Sequence, residues 1–410
     1  MTTTEHSYKT APQLSETLKR YSSIATFIGL VFLALLVSGI FLEGGGLTGA
    51  GMGHFLRAYL VGFWLWFGAG AGCLVILMTQ YLTGGAWGLV IRRPLEAGAK
   101  TLYVTCFLFL PLLVFREQIY WWTTPAGLAD KVIHAKSLYL NVPFLWVRWA
   151  IYSIFLCFYT MKLTAWSKQE DETRSTAVSA KLEALSAPGV LIFFILMTFC
   201  SVDYLMTLEP YWYSTVYGFM IVIGWVLTAL AVVIATLTML EKYAPMDHAL
   251  TRKHYHDLGK LLFAMVMMWT YLNFSQLIIT WSGNLPSEIV WYIKRWNGGW
   301  EAIALLLLFG HFVLPFAMLI SQPAKKSSKF IFFVACYIIA VHAVDVYQLV
   351  EPNFTNVKDP HFYFSWLDVV APLGFGGLWL AIYLRNLPGM PLLPLGAPDL
   401  VKALNHGRDH

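Results

Sequence analysis

Charged residues are scarce in this 410-residue chain. Asp, Glu, Lys and Arg together make up 12% of it, whereas a soluble protein carries about 25%. Hydrophobic residues make up 58%, so most of the chain is expected in a non-aqueous environment. The formal net charge of +5 is small and gives no indication of nucleic-acid binding.

Cysteine motifs are also absent. The chain contains no CxxC, CxxCH or ferredoxin-like cluster, the patterns that attach haem c and ligate iron–sulfur clusters. We therefore predict that this chain binds no redox cofactor of its own and no metal ion. The cysteines are expected to pack as small apolar side chains inside apolar runs. They are Cys73, Cys106, Cys157, Cys200 and Cys336.

Long apolar runs dominate the chain instead. About 20 apolar residues in helical conformation span a bilayer core. Ten such runs predict an all-α integral membrane protein with about ten transmembrane helices. The runs are about 23–41, 55–82, 98–115, 142–164, 187–206, 211–240, 258–281, 298–321, 328–349 and 364–384.

The distribution of Lys and Arg predicts the orientation of these spans. Of the 28 Lys and Arg residues, 20 fall in the two tails and in the loops on the side of the tails. Such loops face the cytoplasm in multi-pass proteins. We therefore expect both termini in the cytoplasm. The polar N-terminal segment has no cleavage site, which favours a cytoplasmic tail over a signal peptide.

Two stretches indicate an internal repeat. VDYLMTLEP begins at Val202, and VDVYQLVEP begins 142 residues later at Val344. Spans 3 and 7 also end similarly, in FREQIYWW and FSQLIITW, although chance similarity between apolar segments is the alternative. We predict a single membrane domain with two tandem four-helix bundles and two flanking spans. Its predicted divisions are a tail at 1–22, bundles at 55–206 and 211–350, and a last span with a tail at 364–410.

Ionisable residues inside the apolar runs are few, and each carries a cost. A charge at mid-membrane costs at least about 2.5–3.5 kcal/mol on insertion scales, so such residues are candidates for function. The candidates for a proton path are Asp345, His342, His311, Asp203, Glu351, Glu209, Tyr271 and Gln276.

Arg148 and Asp203 are expected to pair in the first bundle. Each lies six residues from the outer end of its span, or roughly 9 Å deep at the rise of an α-helix. The pair has two open interpretations: a structural link between spans 4 and 5, or a station for a proton or a quinone headgroup. The candidates for quinone binding are Arg116, Glu117, Arg148 and Asp203.

The second bundle places Asp345 at the same depth without an arginine, because the corresponding position is Ala304. His342 lies three residues before Asp345 on the same helical face, and span 7 offers Tyr271 and Gln276. An Asp without a cationic partner is a candidate to take up and release protons. A permanently protonated, hydrogen-bonded Asp is the alternative.

His311 is predicted to lie apart from His342. The rise per residue puts His311 roughly 20 Å below the outer end of its span and about 10 Å deeper than His342. Two histidines at such different depths are poor axial ligands, which argues against a b-type haem. His311 either extends a proton relay or is an isolated hydrogen-bonded histidine.

Three stretches carry a resemblance to a known family. They are HDLGKLLFAMVMMWTYLNFSQLIITWSGNLPSEIVWYIKRWNGGW at 256–300, FWLWFGAGAGCL in span 2 and VDYLMTLEPYWYSTVYG at spans 5 and 6. With them, the chain resembles the NrfD/PsrC-like family of quinol-interacting integral membrane subunits over essentially its whole length. Within that family it looks like the ActF-type subunits of bacterial alternative complex III, a quinol:cytochrome c oxidoreductase.

This resemblance implies an electron-transport subunit in the inner membrane of a bacterium. The implied partners are the sister membrane subunit ActC, an extracytoplasmic iron–sulfur subunit and c-type cytochrome subunits, and it leaves open a terminal oxidase as a further partner. Haem c and the iron–sulfur clusters would belong to those partners. The implied roles of this chain are to anchor them and to provide a proton path, with quinone as a candidate ligand.

Two other classes of protein remain open. A secondary transporter also uses repeats and charges within the membrane, although its spans are commonly broken near the substrate site. A structural membrane anchor would retain the Asp residues only for packing. Whether the chain takes part in catalysis itself is left undecided by the sequence.

Overall fold

The computed structural model describes residues 12–44, 46 and 49–406, and its fold is all-α. The described residues include ten helical segments long and apolar enough to cross a membrane, which confirms the predicted number. Spans 1 to 10 are Gln13–Leu42, Ala50–Thr83, Ala86–Val114, Val142–Thr173, Thr176–Leu208, Tyr217–Leu240, Arg252–Gly283, Trp300–Ile320, Ser328–Phe354 and Leu367–Gly389.

The predicted tails fall partly outside the described residues, which omit 1–11 and 407–410. The remainder of the predicted N-terminal tail is helical, because the helix of span 1 begins at Pro12. The only β-type pairing among the described residues is an isolated bridge between Asn356 and Asp359.

Shorter helical segments interrupt, end or connect the spans. Span 3 consists of Ala86–Ala99, Leu102–Leu108 and Leu110–Val114, and span 8 consists of Trp300–Leu306, the π-helix Leu307–Val313 and Leu314–Ile320. The 3₁₀ turns are Arg116–Gln118, Trp121–Thr123, Met206–Leu208, Glu351–Phe354 and Leu387–Gly389. The connecting or terminal helices are Pro125–Leu128, Lys131–Ala135, Met246–Ala249, Pro286–Trp296, Gln322–Lys325 and Leu400–Asn405.

Spans 2 and 6 form the centre of the molecule. Their most apolar windows are 94% and 83% buried, whereas those of spans 1, 4, 5, 7 and 8 are at most 33% buried. The two central helices approach closely at Gly68 and Gly72, where an added Cβ would meet the ring or the carbonyl of Trp225. Small residues at this spacing allow helix backbones to pack in a membrane. The glycines of FWLWFGAGAGCL are therefore packing residues.

Spans 1 and 10 pack against each other beside span 2. At their contact Gly29 meets the backbone of Gly377, so neither position has room for a side chain. Ser22 donates a hydrogen bond to the Ala381 carbonyl at 2.9 Å. Large apolar side chains elsewhere on span 1 are exposed, as expected for a surface that faces lipid or a partner.

A group of buried charged side chains lies near the start of span 3 and the end of span 4. These two helix ends lie on the same side of the molecule as the tails. Arg92 pairs with Glu170 at 2.8 Å. Arg93 pairs with Glu96 at 2.8 Å and contacts Asp171. These residues were predicted to lie in loops, but spans 3 and 4 extend as helices to include them. Because each charge has an opposite partner, the group holds the two helices together.

Candidate functional site

Three polar side chains meet inside the second bundle, between spans 8 and 9. His311 Nε2 lies 3.3 Å from His342 Nδ1, and the same His342 nitrogen lies 3.3 Å from Asp345 Oδ2. Trp269 of span 7 donates its ring N–H to the same Asp345 oxygen at 3.1 Å. All three titratable residues are buried, with at most 7% of their surface exposed. We call His311, His342 and Asp345 the buried triad.

The expected depth difference between the two histidines is wrong. It was counted on backbone positions alone, whereas side chains on a helix point toward the N-terminus of their own helix. Spans 8 and 9 run in opposite directions, so the side chain of His311 points toward the Trp300 end of span 8 and that of His342 toward the Ser328 end of span 9. The two rings meet between their backbones.

The local structure of span 8 also helps to place His311. Pro315 has no N–H, so the His311 carbonyl four residues earlier loses its α-helical donor. The chain forms a π-helix at Leu307–Val313, the kind of irregularity that often marks a functional position. The ring of Trp269 packs against the His311 ring at a tilt of 35°, with a centroid distance of 3.9 Å.

Gly224 of span 6 leaves the space that His342 occupies. A Cβ at Gly224 would lie 2.6 Å from His342 Cε1 and 2.9 Å from Nε2. Only glycine therefore fits here without displacing the ring. Spans 6, 7, 8 and 9 thus all contribute to the position of the triad.

The contact between the two histidines leaves no space for a porphyrin, because their nitrogens are in hydrogen-bond contact and Trp269 covers one ring. The geometry of the triad is compatible with a metal ion. The ligand atoms of the triad lie within 4.8 Å of one another, and two imidazoles with a carboxylate can bind Zn²⁺. The expectation that this chain has no metal site stays a prediction.

Two of the predicted path residues lie away from the triad. Tyr271 is 64% exposed on the surface of span 7. Gln276 is buried but accepts a hydrogen bond from Ser214 and donates one to Thr280. The partner that span 7 supplies to Asp345 is Trp269, which the sequence reasoning missed because a tryptophan is unremarkable in an apolar run.

A small cavity adjoins the triad on the side of span 6. Its volume is about 10 Å³, enough for about one water molecule, and its lining includes His342, Asp345, Asn273 and Trp225. Asp345 therefore has room for a proton-carrying water beside its protein partners.

The predicted pair in the first bundle is present. Arg148 Nε donates to Asp203 Oδ2 at 2.7 Å. The hydroxyls of Tyr139 and Tyr152 donate to the same carboxylate, each at 2.6 Å. Three donors, one of them a cation, satisfy Asp203, which is fully buried. This arrangement favours the structural interpretation of the pair.

The other two candidates for quinone binding lie at the rim of the bundle. Arg116 and Glu117 pair with each other at 3.2 Å, and Glu117 is exposed. A cavity of about 150 Å³ is lined in part by Met206 and by Tyr139, which bonds to both members of the Arg148–Asp203 pair. Quinone binding by these residues stays a prediction.

Glu209 is held by the short helix Pro286–Trp296, where Lys294 contacts its carboxylate. The neighbouring Arg295 donates to the carbonyls of Gln348 and Leu349 at the end of span 9. Burial lowers the pKa of Arg295 to about 10, which leaves the guanidinium charged at neutral pH. This helix thus connects the ends of spans 5 and 9.

Glu351 belongs to a group of charges that the sequence reasoning missed. Arg57 of span 2 pairs with Glu351 at 3.3 Å, and His54 contacts Glu43 at 2.5 Å. Ser365 donates its hydroxyl to Glu43 and its backbone N–H to the Asp368 carboxylate, the latter at 2.8 Å. We call Glu43, His54, Arg57, Glu351 and Asp368 the outer cluster. Its members lie at the ends of four different spans, so no local pattern indicated their proximity.

The chain matches no model of a known protein family, and no curated protein matches it.

Proposed function

We propose that this chain is the membrane subunit of a quinol:cytochrome c oxidoreductase of the alternative complex III type and that its second bundle conducts protons. In this proposal it is a multi-pass protein of a bacterial inner membrane with both termini in the cytoplasm. It anchors an extracytoplasmic iron–sulfur subunit and c-type cytochromes beside its sister subunit. The observation that carries the proposal is the buried triad in an otherwise apolar bundle.

The triad has the chemistry that a proton relay needs. His342 Nδ1 lies 3.3 Å from each of two polar atoms, Asp345 Oδ2 and His311 Nε2. A ring nitrogen either donates or accepts, so the proton can lie on His342 toward Asp345 or on His311 toward His342. Histidine is the side chain best suited to such exchange near neutral pH.

The outer cluster is the proposed exit of the same path. It contains three carboxylates with one arginine and one histidine, so it can hold and release a proton. Asp345 lies six residues, or about 9 Å of helix, before Glu351. The proposal therefore requires water between them, beginning at the cavity beside Asp345.

A secondary transporter is the second candidate, and the interruption of span 8 favours it. Broken helices beside polar residues are typical of transporter sites, and the π-helix of span 8 carries His311. Against it, the helices Tyr217–Leu240, Arg252–Gly283 and Ser328–Val350 of the same bundle are continuous.

Co-purification tests the proposal. The tagged chain is extracted from its own membranes in a mild detergent, and the co-purifying subunits are identified by mass spectrometry. We expect haem c and iron–sulfur spectra in a complex that oxidises quinol and reduces cytochrome c. A chain that purifies alone and exchanges a solute in proteoliposomes would identify a transporter instead. Metal analysis of the same preparation reports whether the triad holds zinc.

A further inference from the structure

A further cavity among the described residues lies away from the triad, on the side predicted to face the cytoplasm. It has a volume of about 560 Å³ and lies between the connection of spans 6 and 7 and the connection of spans 8 and 9. None of its lining residues belongs to the buried triad or to the outer cluster.

Three cations line this cavity: Arg252, Lys326 and Lys329. They are exposed, and none of them makes an ion pair with any residue that the structure describes. Lys260 nearby differs, since it lies 3.9 Å from Asp257. The cavity thus holds three cations that make no direct ion pair with the described residues.

The two carboxylates in the lining are engaged elsewhere. Glu241 accepts hydrogen bonds from the hydroxyls of Tyr255 at 2.8 Å and Ser328 at 3.0 Å. Asp247 accepts the backbone N–H of His248 at 2.9 Å. Neither lies within ion-pair distance of the three cations, so the cations keep a majority of one charge over the two carboxylates of the lining.

Two long helices begin at the wall of the cavity. The helix of span 7 begins at Arg252 and that of span 9 at Ser328. The first turn of a helix offers free N–H groups and a positive dipole end, which attract anions. Thr251 caps the first helix with its side chain, but Ser327 makes no such bond to the second. The Ser327 hydroxyl and the backbone N–H of Ser328 are therefore available to an anion, whereas the Ser327 N–H donates to the Ala324 carbonyl and the Ser328 hydroxyl to Glu241.

We propose that this cavity binds a phosphate-bearing anion, either the headgroup of an anionic phospholipid or soluble phosphate. Three cations and a helix N-terminus match the charge and the acceptor oxygens of a phosphate. Phe333, four residues after Lys329 on the same helical face, is 56% exposed and provides an apolar surface for an acyl chain. The inference is independent of the proposed redox function.

Native mass spectrometry of the full chain in detergent tests the proposal. The probes are phosphatidylglycerol and cardiolipin, with phosphatidylcholine as the zwitterionic lipid and inorganic phosphate as the soluble anion. The thermal unfolding midpoint is measured with each probe. Retention of the anionic lipids over phosphatidylcholine would assign a lipid headgroup. Stabilisation by inorganic phosphate without lipid retention would assign a soluble phosphate. Both results support the site.

Variants then assign the binding to the cavity. The triple replacement Arg252→Gln, Lys326→Gln and Lys329→Gln removes the three charges at exposed positions, so we expect it to fold and to weaken anion binding at least tenfold. The control replaces Lys168, Lys181 and Lys253, which are exposed outside the cavity lining, with Gln and has the same net charge. We expect its binding to stay within twofold of the unmodified chain. Equal losses in both triple variants, or no anion binding by the unmodified chain, would overturn the proposal.

Discussion

At the scale of single residues, Asp203 and Asp345, which the predicted repeat makes equivalent, have different surroundings. Asp203 receives three hydrogen bonds, one of them from an arginine, whereas Asp345 receives a tryptophan N–H and faces a histidine. A carboxylate that is fully paired is suited to holding helices together. A carboxylate whose neighbour is itself titratable is suited to proton exchange.

Replacement of Asp345 by Asn tests the relay. An amide cannot accept and release the proton, so we expect quinol-driven proton release to slow by about tenfold or more in the reconstituted complex. The measurement uses a pH-sensitive dye in proteoliposomes. Glu301→Gln is the matched control, because Glu301 is an exposed carboxylate at the start of span 8, and its rate should not change. Equal rates for the two variants would contradict the relay.

Replacement of Arg148 by Met tests the structural interpretation of the first pair. Removal of one partner leaves Asp203 buried with an uncompensated charge, so we expect a loss of about 3–5 kcal/mol in the free energy of unfolding. Thermal unfolding in detergent measures the effect. The double variant with Asp203→Asn should recover part of the loss. The exposed pair gives the control, since Arg116→Gln should cost at most about 1 kcal/mol.

At the scale of the helices, glycine sets the distances between spans. Gly72 brings span 6 against span 2, and Gly224 brings span 9 against span 6. In the second case the close approach also positions a candidate functional ring, since His342 lies in the space beside Gly224. Packing and proposed function thus share the same backbone contact.

The Gly72→Ala variant should separate spans 2 and 6. Its Cβ would lie 2.3 Å from the Trp225 carbonyl oxygen, and a backbone atom cannot move aside without a shift of the helix. We expect a loss of about 1–3 kcal/mol in stability, measured by thermal unfolding in detergent. Gly53→Ala in the same helix is the control, because a Cβ there meets nothing within 4 Å. It should be neutral or stabilise the protein by up to about 1 kcal/mol.

At the scale of the whole molecule, three of the groups of ionisable residues lie at different levels of the fold. The paired charges around Arg92 and Arg93 lie toward the side of the tails, the triad lies within the second bundle, and the outer cluster lies at the opposite ends of the spans. A path across the membrane needs groups at successive depths. The triad and the outer cluster lie at two successive depths, as such a path requires.

Cysteine labelling in intact cells tests the orientation. Leu138, 93% exposed between spans 3 and 4, and Lys168, exposed near the Thr173 end of span 4, lie at opposite ends of that span. With Cys336 replaced by Ala, we expect an impermeant maleimide to label Leu138→Cys directly and Lys168→Cys only after permeabilisation. The reverse pattern would place both termini outside the cytoplasm.

The number of spans and the all-α fold follow from the sequence alone, because long apolar runs have few alternatives to membrane helices. The contact of Arg148 with Asp203 was also predictable, because two opposite charges at the same depth in an apolar bundle attract each other. Counting residues from the outer end of a span predicted that contact. The same count failed for His311, because the direction of the two side chains brings the His311 and His342 rings together despite the distance between their backbones.

Only the tertiary structure brings His311 to His342, Trp269 to Asp345, and Glu43, His54, Arg57, Glu351 and Asp368 together. Each of these contacts joins different helices whose rotation and height depend on packing. The pattern of apolar residues in the sequence shows which segments enter the membrane, because that depends only on how apolar the residues of each segment are. It does not report which faces of ten helices meet, because that depends on the close packing of every pair at once.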